Sequence, residues 1–212
     1  MADQKTKNGV ESMPEALVSL QLAFWLLDHG QPNSHVDIAI DGAHVRIKAH
    51  EHRGQWIEER TVFPIEEFLQ ANQCQQITPE EWWQGTYQRK TCTFKIESVR
   101  GFDVRGKLDG MTIRAECKGG PLGRKPGKSE TAIFASAIGQ VVAAASGNSD
   151  DEFWVAVPES PSFEAVGRRI VETPMFKATT IRIALVNKTG QVRFLNRLPP
   201  RSVPPPKRNS CP

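Results

Sequence analysis

Apolar residues recur every three or four positions through MPEALVSLQLAFWLLDHG, residues 13–30, and the run ends at a glycine, the pattern of an amphipathic helix. HVDIAIDGAHVRIKAHE then alternates apolar and polar about Asp41-Gly42, which predicts a two-residue hairpin with Ile40 opposite Ala43 and Ile38 opposite Val45. GQWIEERTVF is a candidate third strand, and FPIEEFLQAN, residues 63–72, a short helix. Thr78-Pro79-Glu80-Glu81 has the form of a cap, a first-position proline and an acidic first turn, so another helix is expected there. That helix would carry Trp82 and Trp83 side by side, pointing different ways. One of them belongs to the core, and base stacking is the alternative use of the other.

Strands are expected over 91–98, 102–108 and 111–118, followed by the loop GGPLGRKPGK, rich in glycine, proline and positive charge. SETAIFASAIGQVVAAAS, residues 129–146, is apolar on nearly every face and reads as a helix buried on several sides. FWVAVP (153–158) reads as an interior strand, SPSFEAVGRRIVET (160–173) as an amphipathic helix, and IRIALV (181–186) and QVRFL (191–195) as two further strands. This order argues for an α/β protein with a mixed central β-sheet flanked by helices. Three regions are expected: 1–76, a small N-terminal α+β region suited to target selection or assembly; 77–197, the sheet domain; and 198–212, a proline-rich basic tail without fixed structure.

A two-residue turn at Asp109-Gly110 would set Leu108 opposite Met111 and Asp103 opposite Glu116. Alternation then assigns Asp103, Glu116 and Lys118 to one face, and Phe102, Val104, Leu108, Met111, Ile113, Ala115 and Cys117 to the other. Opposed carboxylates with Cβ atoms about 5 Å apart repel unless positive charge lies between them. A divalent cation meets that need: Mg2+ takes one or two protein carboxylates and completes its shell with water and phosphate oxygens, and an adjacent lysine stabilises developing charge. A salt-bridge network of the same three residues is the structural alternative. Arg105 and Arg114 also oppose each other, a repulsion that either a phosphate or solvent relieves. Asp109 is accounted for by its turn.

Composition narrows this little. With 39% hydrophobic and 24% charged residues, the 212-residue chain is an ordinary globular sequence, and a net charge of +3 is compatible with a polyanionic partner without naming one. Cys74, Cys92, Cys117 and Cys211 show no C-x-x-C spacing, so neither a zinc site nor a disulfide framework is expected. His35, His44, His50 and His52 gather near the first hairpin without the carboxylates that would mark them as metal ligands. No apolar run reaches about 18 residues and the N-terminus lacks a signal-peptide pattern, so a cytoplasmic protein off the membrane is expected.

Asp103 on one strand and Glu116-Cys117-Lys118 on the next resemble the signature of the PD-(D/E)xK nuclease superfamily, the restriction-endonuclease-like fold, over residues 80–195. AIGQVVAAA, on the helix after the lysine, is similar to the glutamine-bearing helix of Mrr-like members. The resemblance implies hydrolysis of DNA phosphodiester bonds with Mg2+ or Mn2+, in restriction, defence or repair. It implies Asp103 and Glu116 as metal ligands, Lys118 at the attacking water or scissile phosphate, and Gln140 as an accessory catalytic residue. Phe102 stands where the motif's proline would be. The further acid that many members supply from the preceding helix falls to Glu80, Glu81 or Glu97. Arg105, Arg114, Arg124, Lys125 and Lys128 are the candidate contacts to a DNA backbone. The competing reading is a nuclease-fold protein that binds nucleic acid or mediates assembly, as a homodimer or with a partner protein, without cutting.

Overall fold

Residues Cys92–Glu97 alternate strictly between buried and half-buried, as a strand with one face in a core must. That strand is one of many in the computed structural model, which describes residues 11–47, 49–52, 55–98, 101–123, 128–145 and 150–197. The first half of the chain forms β1 (Ser12–Met13), α1 (Glu15–His29), β2 (His35–Ala39), a 3-10 turn (Gly42–His44), β3 (Arg46–Ile47), β4 (His50–His52), β5 (Gln55–Ile57), β6 (Arg60–Thr61), α2 (Ile65–Ala71), β7 (Gln75–Pro79), β8 (Gly85–Arg89) and β9 (Cys92–Glu97). The second half adds β10 (Val104–Leu108), β11 (Met111–Cys117), β12 (Gly120–Pro121), α3 (Lys128–Ala144), β13 (Asp151–Pro158), α4 (Pro161–Val171), α5 (Pro174–Lys177), β14 (Ile181–Val186) and β15 (Val192–Phe194).

Nine strands build one mixed sheet in the order β15-β14-β13-β11-β10-β2-β9-β8-β7. Within it β11, β13 and β14 run parallel, as do β2 and β9, and the other neighbours are antiparallel. The expectation of a mixed α/β sheet flanked by helices therefore holds. On one face α1 buries Leu22 and Leu26 with Val36, Ile38, Val104, Ile113 and Trp154. On the other, Phe134, Phe163 and Val166 of α3 and α4 cover Phe153, Val155 and Ile183. Each such side chain is worth roughly 1.5–3 kcal/mol in surface removed from water. Among the described residues no helix is long and apolar enough to cross a membrane.

Several expectations are corrected. Asp41-Gly42 turns no hairpin: the Asp41 carboxylate accepts the Ala43 N–H at 2.8 Å and caps the 3-10 turn, while β2 is already paired on both edges, by β9 and by β10. The segment 1–76 thus supplies β2 to the same sheet as the strands of 77–197, with α1 packed on it, and β7 (Gln75–Pro79) crosses that boundary. Thr78–Glu81 starts no helix. It belongs to a hairpin in which Gly85, at φ 138°, approaches so closely that a Cβ would lie 2.3 Å from the Thr78 carbonyl oxygen. In α3 the buried residues are Glu130, Phe134, Ala137 and Val141, a single stripe, and most other positions are exposed. Its apolar character comes largely from alanines, which favour helix without needing cover. The tail and Cys211 lie outside the described residues; Cys74, Cys92 and Cys117 are free thiols.

The start of α1 is clamped against the end of β11. Ser12 and Met13 pair with Pro121 and Gly120, and a Cβ on Gly119 would meet the Glu15 nitrogen at 2.6 Å and the Met13 oxygen at 2.8 Å. Gly119→Ala is therefore expected to lower stability by about 1–3 kcal/mol through overpacking, read from urea unfolding. Gly123→Ala, with nothing within 4 Å of its added Cβ, should stay within about 0.5 kcal/mol.

Candidate functional site

Asp109 and Gly110 adopt φ values of 50° and 79°, the two left-handed residues of the expected two-residue turn, and the ladder behind them runs from Leu108 opposite Met111 to Val104 opposite Ala115. The next positions out are Asp103 and Glu116. Asp103 is held there by two backbone bonds: Ala39 N–H donates to its carbonyl at 2.8 Å, and Cys117 N–H donates to its Oδ2 at 2.7 Å. Glu116 is only 5% exposed. Lys118 Nζ donates to Glu116 Oε1 at 2.7 Å. Phe102 departs from its expected side: outside β10 the alternation lapses, and Phe102 packs on Phe153 and beneath Arg114 rather than with Val104.

A third acid joins from an unexpected place. Glu15, in the first turn of α1, lies 3.7 Å from Lys118 Nζ, and His44 Nδ1 is 3.3 Å from the same Glu15 oxygen. An acidic residue at that position also suits the positive end of the helix. Among the described residues, the acids expected to play this part make no ion pair with Lys118. Glu80 and Glu97 pair with Lys95 at 3.3 and 2.9 Å, and Glu81 is exposed. Gln140 is exposed on α3 and makes no hydrogen bond to Asp103, Glu116 or Lys118 among the described residues. Arg114 is engaged by Asp151 at 2.9 Å, and Arg105 is exposed. Arg124 and Lys125, and the side chain of Lys128, lie outside the described residues, as do the side chains of His50 and His52.

Electrostatics follow from this crowding. Burial, then the neighbouring Glu116 charge, push Asp103 up to about 7, against the opposing pull of the Cys117 N–H. Burial also raises Glu116, with Lys118 opposing. Burial alone would lower Lys118, but its bond to Glu116 and the field of Glu15 outweigh that and leave it above the ordinary lysine value. Both partners of the Lys118–Glu116 pair are shifted upwards for different reasons, Glu116 by burial and Lys118 by the acids around it. The cluster carries an excess of negative charge and favours anything positive.

Carboxylate oxygens from α1, β11 and the entry to β10 are the donor type that a hard divalent cation takes. Among the described residues no group of three or more His, Cys, Asp or Glu side chains is already drawn together as a metal cage. A cation that keeps several waters needs only one or two such ligands.

The Asp103 shift has a definite sign. With its pKa near 7 in the folded chain against 3.8 as a model value, the folded state holds the additional proton between those limits. The stability this confers is full below about pH 4 and lost as pH rises through about 7. Urea midpoints of the metal-free protein should therefore fall from pH 5 to pH 8, and Asp103→Asn should remove most of that fall. An unchanged slope in the variant would contradict the assignment. No family model, no curated protein and no solved structure matches the chain, so its function is argued from the residues of the site.

Proposed function

We propose that the protein is a metal-dependent nuclease hydrolysing DNA phosphodiester bonds, built on the restriction-endonuclease-like arrangement of the PD-(D/E)xK superfamily, with a role in restriction, defence or repair. The observation that carries this reading is the juxtaposition of Asp103 and Glu116 beside Lys118 at one end of the sheet, an arrangement costly for stability alone. Its donor chemistry fits Mg2+ or Mn2+. When bound, such an ion polarises a phosphate and lowers the pKa of an attacking water.

The chain's own residues divide the remaining work. Asp103 and Glu116 hold the cation. Glu15 takes the part of the third acid, the one the PD-(D/E)xK resemblance assigned to a preceding helix. Lys118, kept protonated by its acidic neighbours, orients the water or balances charge developing on the phosphate. The Cys117 N–H holds the Asp103 carboxyl in place, so the ligand is oriented before substrate arrives. Arg105, exposed on β10, would contact the DNA backbone, which adds affinity without sequence preference.

Supercoiled plasmid and single-stranded DNA incubated with the protein and Mn2+ test the proposal. Cleavage is expected, with Asp103→Asn, Glu116→Gln and Lys118→Ala each reducing it by about 100-fold or more, and Asp109→Asn nearly intact. DNA retained without cleavage would replace this reading with that of a non-cutting nucleic-acid-binding protein.

A further inference from the structure

Ile113, Ala115 and Cys117 of β11 enter the α1 core, so Glu116, Arg114 and Thr112 share the opposite face of the sheet. On β10, Val104 and Gly106 are buried, and Arg105 and Lys107 are exposed on that same face. The register sets Arg105 opposite Arg114 and Lys107 opposite Thr112. At roughly 3.3 Å per residue, the first of these steps lies about 7 Å along the strands from Asp103 and Glu116, and the second about 13 Å. The second step lines a cleft of about 630 Å3, whose other walls include Gln31 and Asn33 of the α1–β2 loop and Asp37 of β2. That volume falls within the roughly 300–1,000 Å3 of sites that take small organic groups.

Charge is ordered within this face. Asp37 stands opposite Arg105 in the register, but its carboxylate meets His35 Nε2 at 3.0 Å. Arg114 is bound by Asp151. Arg105 and Lys107 make no ion pair or hydrogen bond among the described residues. Two unpartnered cations therefore follow the carboxylate cluster along one strand, two residues apart, a repeat that successive phosphates of an extended nucleic-acid strand can match. Asp37 and Asp109 keep the cleft as a whole from being basic, so a loose anion gains little there. Asp37, Gln31 and Asn33 offer the acceptors and donors that base edges take.

We infer that the DNA strand being cut runs along β10 from the carboxylate cluster towards the Asp109-Gly110 turn, with its next phosphate on Arg105, the following one on Lys107, and the nucleotide at Lys107 seated in the cleft. The inference rests on the nuclease reading for its substrate. Lys107 is then a positioning residue, acting two nucleotides away from the scissile phosphate.

An end-labelled single-stranded oligodeoxynucleotide with one internal methylphosphonate, a linkage without charge, tests it. With Mn2+, wild type should cut several-fold less at the linkages one and two nucleotides to one side of the substitution. Lys107→Ala should lose the gap at two and keep the gap at one. A gap at two that persists in Lys107→Ala, or cutting unaffected at both linkages, overturns the inference. Binding of the unmodified oligonucleotide in EDTA separates this path from the nuclease reading. Lys107→Ala should lower the slope of log affinity against log salt by about 0.7, while Lys177→Ala, which removes an exposed cation of α5, leaves it unchanged. Equal slopes in all three proteins overturn the strand path even where plasmid is cut, and so does an absence of binding. A Lys107-dependent slope without cleavage sinks the nuclease reading and leaves the path.

Discussion

One ammonium group serves three carboxylates at the end of the sheet, and the surrounding structure is arranged to keep them there. Glu116 is buried, Asp103 is oriented by a backbone N–H, and Lys118 bridges towards both Glu116 and Glu15. A buried carboxylate without full compensation costs several kcal/mol, and hydrophobic residues of similar volume would usually be at least as stable. Such a cluster makes physical sense as a place for positive charge brought from outside.

The fold supplies the three acids from distant parts of the chain. Insertion of β2 between β9 and β10 brings Ala39 against Asp103 and carries α1 across the opposite face. The pairing of β1 with β12, permitted by the bare backbone of Gly119, then fixes the start of α1 beside Lys118. Glu15 stands where it does because backbone pairs with backbone around it. Cys117, one residue away from Glu116 on the strand, points into the α1 core and ties the same strand to the packing beneath.

What was legible in the sequence was local. Asp109-Gly110 set the register of β10 and β11, which keep their facing edges for each other while β2 and β13 take the outer ones, and counting outward from the turn placed Asp103 beside Glu116. Asp41-Gly42 carries the same dipeptide, yet there the aspartate side chain caps a turn and the strand edges are claimed by segments far along the chain. No dipeptide signal encodes that competition. Glu15 stands far ahead of the strands in the sequence, in the first turn of α1, and only the pairing of β1 with β12 brings it beside Lys118. Thr-Pro-Glu-Glu satisfies the rules for a helix start yet leads into a turn, because the close approach demanded of Gly85 appears only when β7 meets β8.

Direct titration of Mn2+ into the wild-type and Glu116→Gln proteins, followed by the loss of the free-ion electron paramagnetic resonance signal, tests the claim that this cluster awaits a cation. Saturable uptake of one ion per chain by wild type, abolished in the variant, is expected. Uptake that never saturates in wild type, or equal uptake by both proteins, would contradict it.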